Sequence, residues 1–253
     1  MNEILFDRKL LVNNRKRYSL KSSDYNFLHQ KCADKIFEDI NSLPKNYNDT
    51  LELQAFNDYL CKLVKTNNNQ VNYVRCNDDI ICDEEYLPFK NESFDMVISN
   101  LNLQFINHIP QFLSQVRQIL RPDAIVIMSF LGEDNLTELA HTIYLSENEL
   151  YGGISSRMIP TIDIKTAGQL FVKSGFKNVI ADIDKITIEF ETVSQLLYNL
   201  KYMCLGNILL SRSRKFFSKK LLKKTCENFQ KNYGLDNGNI PATFKIITVI
   251  AQK

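Results

Sequence analysis

The 253 residues contain no tryptophan, only 8 glycines and only 3 histidines. The histidines, His29, His108 and His141, are far apart, and each is best placed on a helix surface or in a loop. The six cysteines, at 32, 61, 76, 82, 204 and 226, form no C-x-x-C pair and have no histidine at metal-ligand spacing, which argues against a zinc site. Reduced thiols are therefore expected, with Cys61 and Cys82 in the core. No apolar run approaches the roughly 18 residues that cross a bilayer, and the N-terminus has no secretory apolar segment, so a cytoplasmic location is expected. Nor is there an excess of one charge. A formal net charge of +2 gives no global reason to expect nucleic acid, so any basic surface must be local. With 44% hydrophobic and 24% charged residues, the chain can bury a full core and is not disordered.

The most informative stretch runs from Asp79 to Phe130. Ile80-Ile81-Cys82 is a short apolar run that ends on Asp83-Glu84-Glu85. Phe94 to Ser99 suits a buried strand, with the polar Asn100 at its carboxyl end. Pro110 sits where a first helical turn tolerates a missing N–H, and Phe112, Leu113, Val116, Ile119 and Leu120 form one apolar helical face. Ala124 to Phe130 is a further run of strand length. Strand, turn, strand, helix, strand predicts an α/β fold with a mostly parallel sheet and helices on both faces. Ligands of such sheets lie outside the carboxyl ends of the strands, which puts Asp83, Glu84 and Asn100 on the rim of a site.

The remaining elements follow from periodicity. A helix is predicted from Asp24 to Ile40, broken by Leu43-Pro44, and a strand over Thr50–Leu53. Only Cys76-Asn77-Asp78-Asp79 separates Val71–Arg75 from Ile80, too few residues for a helix. Helices are expected around Leu136–Ile143, Asp163–Ser174 and Thr192–Leu205. Val179–Ile183 and Ile186–Phe190 read as a bent or hairpin-like edge, and Phe244–Ala251 as the last strand. The chain divides into an N-terminal arm and helix, 1–43, and an α/β domain, 44–253, carrying an insertion near 133–165. A basic helical segment near 212–232 reads as a cationic face over an apolar stripe, or as a docking surface for an acidic protein or an anionic membrane.

Three strings carry a resemblance: Asp83-Glu84-Glu85-Tyr86-Leu87-Pro88-Phe89, Ser93 to Leu101, and Leu120-Arg121-Pro122-Asp123. In this order and spacing the chain resembles the class I S-adenosylmethionine (SAM) methyltransferases. Leu5-Phe6-Asp7-Arg8, Gly152-Gly153-Ile154-Ser155 and Ile240 to Phe244 extend the likeness to one branch. That branch holds the biotin-synthesis malonyl carrier-protein methyltransferases and the mitochondrial complex I assembly factor that acts as an arginine hydroxylase. The resemblance implies about seven strands with the last antiparallel. It also implies SAM as cofactor without a metal, and a leading segment that folds over the pocket and places Tyr18 near it, where residues 1–23 would otherwise read as a solvated arm.

At the first strand the family has an acid and a turn with three alternate glycines. Here the acid is Glu52, and the glycine positions are Gln54, Phe56 and Asp58. An L-residue forced into left-handed geometry costs roughly 1–2 kcal/mol, and Phe56 adds bulk. The family's ribose-binding acid has no assigned counterpart, although Asp78 or Asp79 could replace it. Together these losses remove roughly 4–6 kcal/mol of grip, or three to four decades of affinity. The expectation is a methyltransferase-like protein related to a complex I assembly factor, with weakened or lost cofactor binding and a respiratory-complex subunit as partner. The alternative is an active methyltransferase or arginine-modifying enzyme with a rebuilt loop. The positions expected at the cofactor are Tyr18, Glu52, Gln54, Asp83, Glu84 and Asn100, with no catalytic residue assigned. After Asn100 the chain reads Leu101-Asn102-Leu103 and not an adenine-methylating motif, so nucleic acid is not expected.

Overall fold

The computed structural model describes residues 4–18, 25–44, 47–67, 70–76, 78–213 and 217–253. In chain order the elements are α1 (Arg8–Tyr18), α2 (Phe27–Ser42), β1 (Asp49–Leu53), α3 (Tyr59–Asn67), β2 (Asn72–Arg75), β3 (Phe94–Asn100), α4 (Ile109–Ile119) and β4 (Leu120–Leu131). They continue with α5 (Thr137–Tyr151), α6 (Ile164–Lys173), β5 (Lys177–Phe190), α7 (Val193–Tyr202), α8 (Lys219–Tyr233) and β6 (Ile240–Gln252). The strands form one sheet in the order β2-β1-β3-β4-β6-β5. β1, β2, β3 and β4 pair in parallel, whereas β6 runs antiparallel to both β4 and β5. The direction of strand order reverses at β1 and β3, so the crevice beyond their carboxyl ends is the switch point at which such sheets hold ligands.

Apolar periodicity accounts for the packing. Phe112, Leu113, Val116 and Ile119 bury the inner face of α4 against Val97, Val126 and Phe171. On the opposite face Ile36 of α2 and Leu60 and Val64 of α3 enclose Tyr73, Met96 and Ile98. A third cluster joins α5, α7 and α8 to the carboxyl ends of β4 and β5 and the amino half of the antiparallel β6, and the N-terminal residues Phe6 and Leu11 are buried in it. The N-terminal segment is therefore not a solvated arm over its described length. Asp24, expected to cap the second helix, lies outside the described residues.

Three expectations change. The sheet has six strands among the described residues, because Ile80-Ile81-Cys82 is not a strand. A single bridge joins Cys76 to Ile80, and the Ile81 side chain stands in solvent at 88% exposure. The cause is local: Arg75 ion-pairs with both Asp78 and Asp79, and its own N–H donates to Asp79 Oδ2 at 2.9 Å. These contacts turn the chain over the end of β2 before a strand can extend. Second, the edge read as bent or hairpin-like is one 14-residue strand, β5, paired with β6 from Phe190 back to Lys177. Third, the basic helix begins only at Lys219, where the Ser218 side chain accepts from the Leu221 N–H. Arg212 lies in the preceding turn, and 214–216 are outside the described residues.

This placement of Ile81 is testable by denaturant unfolding. Ile81→Ser should change stability by no more than about 0.5 kcal/mol, whereas Ile98→Ala, at a fully buried position of β3, should cost about 2–5 kcal/mol. A cost near the latter for both would mean that 80–82 pack as a strand.

Candidate functional site

The crevice beyond β1 and β3 is floored by the chain leaving each strand and roofed by α1. Gln54 leaves β1 in left-handed geometry (φ 53°), so the turn that glycine would favour is kept, with a glutamine in it. Gln54, Ala55, Phe56 and Asn57 line a hollow of about 330 Å³, closed on the α1 side by Val12, Arg15 and Lys16 and further out by Asp78 and Ile81. Phe56 is not swung clear of this hollow, because its ring stacks on buried His29 with centroids 3.8 Å apart.

The acidic residues of the rim face α1. The Glu84 side chain is fully buried and accepts from Arg8 Nη2, which also reaches Asp83 Oδ1 at 3.1 Å. Arg15 Nη1 lies 3.9 Å from Glu84 Oε1, and Arg15 Nη2 donates to Asn102 Oδ1 at 3.0 Å. Burial pulls the Arg8 guanidinium down, but Glu84 and Asp83 outweigh it and raise its pKa. Burial lowers that of Arg15, which has a more distant carboxylate. Several buried polar atoms nearby have no hydrogen-bond partner: Arg15 Nη1, His29 Nδ1, Glu84 Oε1 and Asn102 Nδ2. The crevice is polar and incompletely satisfied.

The six sequence-predicted positions do not converge. Asp83 and Glu84 meet at the roof, and Gln54 lines the hollow. Glu52 points away from the hollow toward β2, where its Oε2 accepts from Tyr73 Oη at 2.9 Å, and burial raises its pKa to about 7. Asn100 is committed on both sides: its Nδ2 donates to the His29 carbonyl at 2.9 Å and its Oδ1 accepts from Ser129 Oγ at 3.0 Å. Tyr18 stands at a separate, mostly apolar cavity of about 260 Å³ bordered by Leu139, Leu200 and Met158, edge-on to Tyr202 at 5.1 Å. Sequence reasoning missed Arg8, Arg15, His29 and Asn102. Arg8 stood in the quoted Leu-Phe-Asp-Arg string, but nothing in the pattern paired it with Glu84.

These residues do not fit SAM in this arrangement. The acid that should open the site is turned inward to Tyr73, and burial lifts its pKa to about 7. β2 ends in an arginine engaged with Asp78 and Asp79 where the ribose acid belongs. Arg15 and Lys16 on the hollow's wall would repel a sulfonium.

Residues 52–128 match the family described as the methyltransferase domain. A protein of Rickettsia prowazekii (strain Madrid E) named as a methyltransferase, RP459, is 31% identical over 76% of this chain and 92% of its own. The human mitochondrial arginine-hydroxylase NDUFAF5 is 26% identical, with 98% of this chain and 77% of the human protein aligned. Among solved structures, the Bacillus subtilis YcgJ protein superposes with a TM-score of 0.52 at 11% identity, covering 88% of this chain and 98% of that one, which speaks to the fold alone. The chain belongs to the class I methyltransferase superfamily. Within it, the chain is a methyltransferase-like protein related to the arginine-hydroxylase named above.

Two buried groups give the site opposed pH responses. The folded-state pKa of Glu52 lies above its unfolded value, so folding takes up a proton and stability falls as pH rises from about 4.5 to about 7. That of His29 is lowered to about 3 by burial and by Arg15, so its contribution is lost as pH falls below about 6.5. The two slopes oppose each other between about pH 4.5 and 6.5. Glu52→Gln removes the Glu52 slope and leaves those of His29 and of Glu84, whose pKa burial also raises, so on acidification through that window the variant's unfolding free energy should drop by roughly 1.4 kcal/mol per pH unit more than that of the parent chain. Equal pH profiles for the variant and the parent chain would refute this assignment.

Proposed function

We propose that this chain is a methyltransferase-fold protein of the complex I assembly-factor branch that has weakened or lost its grip on SAM and acts by binding a protein partner. One observation carries the reading. The cation nearest the rim acid Glu84 belongs to the protein itself, since Arg8 and Arg15 of α1 engage it. A cofactor donor that used Glu84 would have to displace a guanidinium from a buried carboxylate, and breaking such a pair costs roughly 3–5 kcal/mol. The alternative reading, an active methyltransferase or arginine-modifying enzyme with a rebuilt loop, is favoured by the hollow beside Gln54, whose volume falls at the low end of ligand sites.

Two surfaces are candidates for the partner. The loop after α5 exposes Tyr151 and Ile154. Its Arg157 is held internally by buried Glu147, at 2.8 Å through Nη2, and so is engaged within the protein. The outer face of α8 presents Lys219, Lys220 and Lys223, whereas Lys224 is drawn to Glu149 at 2.9 Å. This face supports an acidic protein surface as partner. Among the described residues no helix is long and apolar enough to cross a membrane.

Isothermal titration with SAM separates the two readings. A dissociation constant near or above about 1 mM is expected, and one tighter than about 100 μM would overturn the proposal. Restoring glycine at 54, 56 and 58 should leave a dead groove unchanged or improve it, whereas a working, rebuilt loop should lose affinity.

A further inference from the structure

The loop that replaces the missing strand brings two cysteines together. Cys76 is fully buried at the end of β2, and Cys82, half-buried, opens the segment carrying Asp83 and Glu84. Their Sγ atoms lie 2.6 Å apart. That is nearer the roughly 2.05 Å of a disulfide than the roughly 3.5–4 Å of ordinary non-bonded contact.

The geometry points to Cys76 and Cys82 as a modification site, an intramolecular disulfide installed by exchange with a low-molecular-weight disulfide such as oxidised glutathione. The Cys82 thiolate attacks one sulfur of the oxidant, forming a mixed disulfide and releasing one thiolate. The Cys76 thiolate then attacks the Cys82 sulfur, forming the Cys76–Cys82 bond and releasing the second. Two protein thiols are oxidised, one small disulfide is reduced to two thiols, and the two cysteine protons end on the released thiolates or in solvent. Exposure assigns the order, because Cys82 is the sulfur that an oxidant can reach. Acidity agrees with it: the contact with Cys76 holds Cys82 below the usual thiol range, whereas that same contact and burial push Cys76 up. Once closed, the bond ties the Glu84 segment to the end of β2 and so fixes the carboxylate that α1 docks on. The reduced thiols expected from composition describe only one of the protein's two states.

The test uses the folded full chain, incubated with oxidised glutathione, then denatured and alkylated. Of the six cysteines, two should become resistant to alkylation, the mass should fall by about 2 Da before alkylation, and peptide mapping should join 76 to 82. Cys61→Ser should still lose two alkylatable thiols, whereas Cys82→Ser should form no intramolecular bond. Six alkylatable thiols in the treated parent chain, or a bond that maps to any other pair, would overturn the assignment.

Discussion

One buried carboxylate shared by two arginines decides how the upper half of this molecule is arranged. Glu84 has no exposed side-chain surface, and a lone ionised carboxylate there would cost several kcal/mol in desolvation. Arg8 meets it directly, Asp83 shares the same Nη2 of that guanidinium, and Arg15 approaches from the next turns of α1. Their spacing of seven residues puts both arginines on one helix face. Leu11 lies between them and is buried in the core, so apolar packing and charge pairing draw α1 onto the same place. The N-terminus of the chain is held as well: Asn107 Oδ1 accepts from the Leu5 and Phe6 N–H groups, and Arg212 pairs with Asp7. α1 is therefore part of the fold and not an appendage to it.

The shortened passage between β2 and β3 is the second constraint, and it acts on the first. Because Arg75 gathers Asp78 and Asp79, the chain returns over the end of β2 without adding an edge strand. This delivers Cys82, Asp83 and Glu84 to the mouth of the crevice within a few residues. The neighbouring Tyr73 then supplies the hydroxyl that Glu52 turns to. Two acids that could have faced a ligand are thus engaged within the protein, one by the Tyr73 phenol and the other by the arginines of α1. The left-handed turn at Gln54 shows that the backbone path of the family survives without glycine, at a cost of roughly 1–2 kcal/mol. Beside that path a hollow remains, and Phe56, stacked on His29, forms part of its wall.

Legibility from sequence divided along a physical line. Buried parallel strands and amphipathic helices are written in apolar periodicity, so Phe94–Asn100, the apolar face of α4 and the strand from Ala124 onward could be read directly. The failures came where polar contacts outweighed local propensity. Ile80-Ile81-Cys82 has strand composition, but the ion pairs of Arg75 turn it into a loop. The bend read into β5 came from Asp184 and Lys185, polar residues that an edge strand accommodates by facing them to solvent. At the site, the identity of the rim acids was legible and their partners were not. Nothing in a one-dimensional pattern links Arg8 to Glu84, 76 positions away, or turns Glu52 toward Tyr73. The surroundings of Tyr18 were not legible for a related reason: its ring meets Tyr202, 184 positions away.

The fold can tolerate a compromised groove because the two depend on different atoms. The sheet is held by side chains between its layers, such as Val97, Ile98, Val126 and Ile127, none of which reaches the crevice. Residues that would touch a cofactor lie one or two positions past the strand ends, where a substitution changes ligand affinity without opening a cavity in the core. Where cofactor binding is not required, stacking of Phe56 on His29 and capture of Glu84 by α1 both lower the free energy of the closed form. Closure and loss of affinity then reinforce each other, since each added internal contact is one that a ligand must break before it can enter. A groove closed from within beneath an intact sheet is compatible with the proposed binding role, which draws only on the scaffold's outer surfaces.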